Sequence, residues 1–308
     1  MRILPALLVL TSCAPLAERA PELPTPEGEV RRLATDMQFT EGPVWLPEEG
    51  ALVFSDIPRG ELLRWTPDTG VELFRSCANP NGNALDLDGR LLTCLHGDRQ
   101  LVRWEEDGSR SVLAERLGDA RLNSPNDLAV QSDGTLWFTD PPWGLAGQRE
   151  GKELGGHWVF RRDPDGSLTV VLRDLAMPNG IALSPDETRL YVADTGGHPS
   201  HPDPSVRDVP ATVTAWALDD ANALSAEPLW SVATRCDGMC VDERGNVYTT
   251  ARSGVVILSP GGDVVGTIAV PEAPANCCFG GADGRTLFVT ARTSLYAVEM
   301  NVAGHALP

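Results

Sequence analysis

The chain has 308 residues, 43 acidic against 25 basic side chains, a formal net charge of −18 and 42% hydrophobic residues. That apolar fraction supports a packed core and excludes wholesale disorder, and the length suits one large domain or two small ones. A chain this negative is repelled by nucleic acid and by anionic membrane surfaces, so the charge fits solubility, a cation or a neutral small molecule. The basic residues are almost all arginine, with Lys152 the only lysine.

Met1-Arg2 gives a positive start, Ile3 to Leu10 is a short apolar run, and Leu10-Thr11-Ser12-Cys13 closes it. This is the pattern of an export signal, too short to span a bilayer. The closing tetrapeptide resembles the bacterial lipoprotein processing box, in which the cysteine is lipidated and becomes the first residue. Residues 1–13 are therefore read as a signal ending at the lipidation site Cys13, residues 14–35 as a Pro- and Glu-rich tether, and residues 36–308 as the folded domain. The expected location is outside the cytoplasm, anchored to the membrane and facing the periplasm or the cell exterior. In that oxidising space Cys77, Cys94, Cys236, Cys240, Cys277 and Cys278 read as small buried residues with room for one disulfide. Cys236-x-x-x-Cys240 with Cys277-Cys278 makes a poor zinc set, because neighbours on a strand face opposite ways.

One phrase, a turn with Asp or Gly followed by a short apolar strand, runs through everything after residue 36. In chain order it is Glu49-Gly50 before Leu52-Val53-Phe54, Asp88-Gly89 before Leu91-Leu92, and Asp133-Gly134 before Leu136-Trp137-Phe138. It continues as Pro185-Asp186 before Leu190-Tyr191-Val192, Arg244-Gly245 before Val247-Tyr248, and Asp283-Gly284 before Leu287-Phe288-Val289. No segment sustains helical periodicity; Ala217 to Ala226 is too short and too rich in Asp and Asn. Hairpin turns recurring every ~40–60 residues predict an all-β, six-bladed β-propeller of four-stranded antiparallel blades.

Counting back roughly ten to twelve residues from the middle of each strand lands in turn on Glu41, Asn81, Asn126, Asn179, Asp237 and Asn276. All six are carboxylates or carboxamides, and all but Asn276 are followed by Gly or Asp. Asn and Asp favour turns when taken singly, but a turn has no use for Glu41. The first strand of each propeller blade lines the central channel, so equivalent positions form a ring about the axis. A ring of oxygen donors suits a hard divalent cation, which takes about six to eight oxygens when it is calcium.

Glu41-Gly42-Pro43-Val44-Trp45, Asn123-Ser124-Pro125-Asn126-Asp127, Phe138-Thr139-Asp140-Pro141, Pro178-Asn179-Gly180-Ile181, Asp237-Gly238-Met239-Cys240-Val241-Asp242 and Asn276 with Phe279-Gly280-Gly281 then carry a resemblance. Over residues 36–298 the chain resembles the family of gluconolactonase, regucalcin (senescence marker protein) and diisopropyl fluorophosphatase. The resemblance implies a divalent cation in the channel, usually Ca2+, with Zn2+, Mg2+ or Mn2+ as alternatives, held by Glu41, Asn126, Asn179 and Asp237. It further implies hydrolysis of a small lactone, the cation polarising the carbonyl and Asp237 acting as base or nucleophile. His96, Asn81 and Asn276 are left to contact the substrate. A monomer is expected, with no nucleic-acid partner and membrane attachment only through the lipid. The alternative reading is a non-catalytic calcium- or small-molecule-binding propeller lipoprotein.

Where regucalcin grips its substrate with an arginine, two residues before the equivalent of Asn126, this chain has Ser124, as does the bacterial gluconolactonase branch. Arg121 is read as closing a turn by a salt bridge. His198 and His201 lie in a Gly- and Pro-rich loop expected over the channel mouth. Trp143 is a candidate pocket wall, and Trp45 is expected in the core.

Overall fold

Residues 23–197, 199 and 201–305 are described by the computed structural model; the export signal, Cys13 and His198 lie outside them. The Asp-bearing turns bend the chain because Asx side chains accept from the backbone two residues on. Asp86 Oδ1 accepts from Asp88 N at 3.0 Å and Arg90 N at 2.9 Å, and Asp242 Oδ1 accepts from Arg244 N and Asn246 N at 2.9 Å. Gly89 and Gly245 complete these turns at φ of +77° and +82°, where a β-carbon is strained.

The strands so delimited form six four-stranded antiparallel sheets, each built from strands consecutive in the chain except the last. The inner strands of blades 1 to 6 are Thr40–Leu46, Pro80–Leu85, Leu128–Val130, Pro178–Leu183, Met239–Val241 and Pro274–Gly280. Each packs against the inner strand of the next blade, and blade 6 packs back on blade 1, so the ring closes into a six-bladed propeller. The described residues contain no α-helix, only two 3-10 turns, Ala146–Gln148 and Pro204–Val206.

Blade 6 has an outermost strand taken from the other end of the chain. Arg31–Ala34 pairs antiparallel with Ser294–Glu299. Residues 31–34, expected within the tether, therefore belong to the propeller, because Arg-Arg-Leu-Ala pairs along an otherwise open sheet edge and packs Leu33 and Ala34 on the core. Upstream, Thr25 N donates to Asn301 Oδ1 at 2.8 Å and Glu27 N to Glu299 O at 2.8 Å, continuing the same seam.

The core lies between blades. Tyr248, Val255 and Ile257 of blade 5 pack on Cys277, Leu287, Val289 and Tyr296 of blade 6, and Leu92, Cys94 and Leu101 of blade 2 on Leu128, Leu136 and Phe138 of blade 3. Each such large side chain contributes roughly 1.5–3 kcal/mol by leaving water. Trp45 stacks on Phe288 at 5.4 Å within the core, as expected. Nearer the axis, second-strand hydroxyls tie one blade to the next: Ser55 Oγ donates to Asn81 O at 2.6 Å, Thr139 Oγ1 to Asn179 O at 2.7 Å and Thr250 Oγ1 to Ala275 O at 2.7 Å.

Because strands run alternately up and down, the links from second to third strands lie at the end where inner strands begin. Those of blades 3 and 4, residues 141–157 and 195–211, are long, and their described residues pack on each other. Trp143 joins Val206 and Val209 in a small apolar cluster, Lys152 Nζ lies 2.9 Å from His157 Nε2, and His201 Nε2 lies 3.1 Å from Gln148 Oε1. Arg121 donates to the Asp98 carbonyl at 2.8 Å, a backbone contact where a salt bridge was expected.

Candidate functional site

Each ring residue sits at a bulge where its inner strand begins. The register slips between Glu41 and Val44, Pro80 and Asn83, Pro178 and Ile181, and Pro274 and Asn276. In blades 3 and 5 the slip appears as two residues opposite one: Asn126 N donates to Thr139 O while Thr139 N donates to Asp127 O, and Asp237 N and Gly238 O share Thr250 likewise. A bulge re-aims a side chain that would otherwise alternate with the pleat.

The glycines that follow are dictated by close approach. A β-carbon on Gly42 would lie 2.0 Å from Asn81 O, one on Gly180 2.6 Å from Asp237 O, and one on Gly238 2.1 Å from the Asn276 amide carbon. Three entry loops are also braced by a buried aspartate ending the second strand of the same blade. Asp56 accepts from Gln38 N and Phe39 N at 2.9 and 3.1 Å, Asp140 from Asn123 N and Ser124 N at 2.7 Å, and Asp194 from Ala176 N and Met177 N at 2.8 Å. These braces stand two and three residues ahead of Glu41, Asn126 and Asn179.

Four ring side chains form one hydrogen-bonded arc. Asn81 Nδ2 donates to Asn126 Oδ1 at 2.6 Å, Asn126 Nδ2 to Asn179 Oδ1 at 2.7 Å, and Asn179 Nδ2 to Asp237 Oδ1 at 2.6 Å. His96 Nε2 closes on Asn81 Nδ2 at 3.0 Å and Asn126 Oδ1 at 3.3 Å. Burial pushes His96 down to about 4, against the Asn126 hydrogen bond, so the ring is neutral at pH 7. Across the channel Asn276 Nδ2 donates to Asp127 Oδ2 at 3.2 Å, and Glu41 Oε2 accepts from Gly42 N at 2.9 Å.

Asp127 is a site residue that the repeat count does not single out. Its signal is the departure from glycine after the ring position, which adds a third carboxylate, itself buried, to Glu41 and Asp237. Burial first, then the charges of Asp237 and Asp127, raise Glu41 well above the usual carboxylate range. Burial also pushes Asp127 up to about 7 and Asp237 to about 6, the latter held down by Asn179 and by the charge of Arg292. Arg292 is the second missed residue. It occupies the two-residue turn between Thr286–Ala291 and Ser294–Glu299 at φ +46°, its guanidinium 5.2 Å from the centre of the Phe39 ring and its carbonyl accepting from Thr40 N at 2.8 Å.

Among the described residues no three His, Cys, Asp or Glu side chains converge as a metal cluster. The set that fits a cation is of another kind: the carboxylates of Glu41 and Asp237 with the amide oxygens of Asn126 and Asn179, each amide oxygen having a second lone pair. Glu41, Asn126 and Asn179 are buried and Asp237 is half-buried, the two carboxylates repel one another, and the donors are hard oxygens, the kind that a hard divalent cation takes. Ser124 is spoken for elsewhere, donating to Pro141 O at 2.6 Å and accepting from Gly144 N at 2.9 Å.

A six-bladed propeller whose axis is lined by carboxylates and carboxamides defines the class. Within it, the chain belongs to the SMP-30/gluconolactonase/LRE-like family, whose profile matches residues 39–293. A gluconolactonase of Zymomonas mobilis is 33% identical over 324 residues, covering 96% of this chain and 87% of that protein. A pentonolactonase of Haloferax volcanii is 30% identical, covering 84% of each. The solved gluconolactonase of Xanthomonas campestris is 34% identical with a TM-score of 0.76, covering 88% of this chain and 89% of that one. A calcium-binding regucalcin of Agrobacterium tumefaciens, at 22% identity and a TM-score of 0.72 over 90% of this chain and 96% of its own, shares the fold.

Proposed function

We propose that the protein is a divalent-cation-dependent lactonase acting on sugar-like lactones, with Glu41, Asn126, Asn179 and Asp237 holding the cation. The observation that carries this reading is the concentration of mutually repelling carboxylates, Glu41, Asp127 and Asp237, beside an unbroken arc of carboxamides. The lactonases among relatives at 30% identity or more supply the substrate class. Bound there, a divalent cation supplies Lewis-acid polarisation of the ester carbonyl. Asp237, ionised above pH about 6, takes the proton of the attacking water or attacks the carbonyl carbon itself. Neutral His96, with Asn81 and Asn276, offers hydrogen bonds to the hydroxyls of a bound sugar ring. Cys13 as a lipid anchor would put this activity at the outer side of the cytoplasmic membrane or beyond.

The test is lactone opening on a pH-stat across a panel of aldonolactones. Activity is expected to vanish with chelator and return with Ca2+, and Asp237→Asn to lower the rate by at least ~100-fold. No turnover of any lactone by protein that retains its cation would leave a binding propeller instead. Cys13→Ser is expected to move the protein from the membrane fraction to the soluble one; continued membrane retention would refute the anchor.

A further inference from the structure

The six described cysteines are all free thiols in this structure, spread over five of the six seams between blades. Cys236 Sγ donates to Asp194 O and Thr212 O at 3.3 Å, on the blade 4 side. Cys94 lies between blades 2 and 3, and Cys77 packs with Val53 and Leu62 of blade 1. Cys278 faces Trp45 and Leu52 of blade 1, whereas its neighbour Cys277, pointing the other way from the same strand, packs on Tyr248 and Val255 of blade 5. There it meets Cys240, Sγ to Sγ, at 3.5 Å.

We propose that Cys240 and Cys277 are a disulfide site, a covalent cross-link between the inner strands of blades 5 and 6 formed when the chain folds in the presence of a disulfide oxidant. The seam is already pinned two residues before each cysteine: Gly238 N and Thr250 Oγ1 both donate to Ala275 O at 2.7 Å. Closing the bond brings the two sulfurs from 3.5 Å to about 2.05 Å. In the step, one cysteine thiolate attacks a small-molecule disulfide such as oxidised glutathione and expels one glutathione thiolate. The second cysteine thiolate then attacks the mixed disulfide and expels the other, so two protein thiols are oxidised and one glutathione disulfide is reduced to two glutathione thiols, which take up the two protons the cysteines gave up. Burial raises the Cys240 thiol well above its ordinary range. The bond therefore forms on the folding chain, while the sulfurs are still exposed, and is protected from exchange afterwards. This assignment is independent of the lactone reading. It links positions three residues from Asp237 and adjacent to Asn276, and so ties together two members of the ring.

The test is refolding of the full chain with oxidised glutathione or with dithiothreitol, followed by alkylation and peptide mapping without reduction. The oxidised protein is expected to be about 2 Da lighter before alkylation, to yield one linked peptide pair containing Cys240 and Cys277, and to melt at least roughly 5 °C higher than the reduced one. The linked pair is expected to disappear in Cys240→Ala and persist in Cys278→Ser. If Cys240→Ala fails to fold, Cys277→Ala reads the same outcome. Full alkylation of both thiols after oxidative refolding, or a link through Cys278, would overturn the proposal.

Discussion

Asp127 stands where blades 1, 2, 4 and 5 have glycine, and the exchange of a hydrogen for a carboxylate changes the charge of the whole channel. Its raised pKa has a definite consequence for stability. With a folded value near 7 and an ordinary value near 4, the folded state holds a proton that the unfolded state has lost between those pH values. Stability without cation therefore falls as pH rises from about 4 to about 7, by up to ~4 kcal/mol for a shift of this size. Asp127→Asn is expected to flatten that slope, and a divalent cation at pH 8 to raise the melting midpoint more in the native chain than in the variant. Midpoints recorded against pH in chelator and in Ca2+ check both; an unchanged slope in Asp127→Asn would reassign the effect. The residues of the arc were legible because they recur at one position of a repeat. Asp127 was not, since it stands one place off that position, and Arg292 was not, since nothing in Ala-Arg-Thr-Ser marks a turn whose arginine folds back over Phe39 beside the channel.

At the scale of the strand, the ring depends on backbone approach as much as on side chains. Gly180 N donates to Asp237 O at 2.9 Å, and a β-carbon there would sit 2.6 Å from that oxygen. Gly180→Ala is expected to push blade 5 away at Asp237, destabilising by about 2 kcal/mol or more and weakening cation binding. Gly89→Ala, at positive φ but with open space around it, is expected to cost about 1 kcal/mol and leave cation binding alone. Denaturant midpoints with a calcium titration separate the two. The second strands and their turns were legible from the sequence because Asx turns and apolar alternation are local signals. The bulges were not, because they arise from packing between blades, and neither were the bracing aspartates: Asp56, Asp140 and Asp194 look like ordinary strand ends until the loops they hold are seen.

For the whole molecule, the six-fold repeat carried the architecture, while the boundary at residue 36 fell short because a four-residue strand with only two apolar positions is indistinguishable from linker. Arg31–Ala34 nonetheless completes blade 6. A chain beginning at residue 36 is expected to melt at least roughly 5 °C below one beginning at residue 23, and thermal scans of the two decide it. An equal midpoint would mean that three strands suffice for blade 6. The same pairing sets an order of events during synthesis. Arg31–Ala34 is synthesised before every other strand of the six blades, and its partner, Ser294–Glu299, after all of them, so the first strand waits unpaired until the whole propeller has been made and is then the piece that seals it.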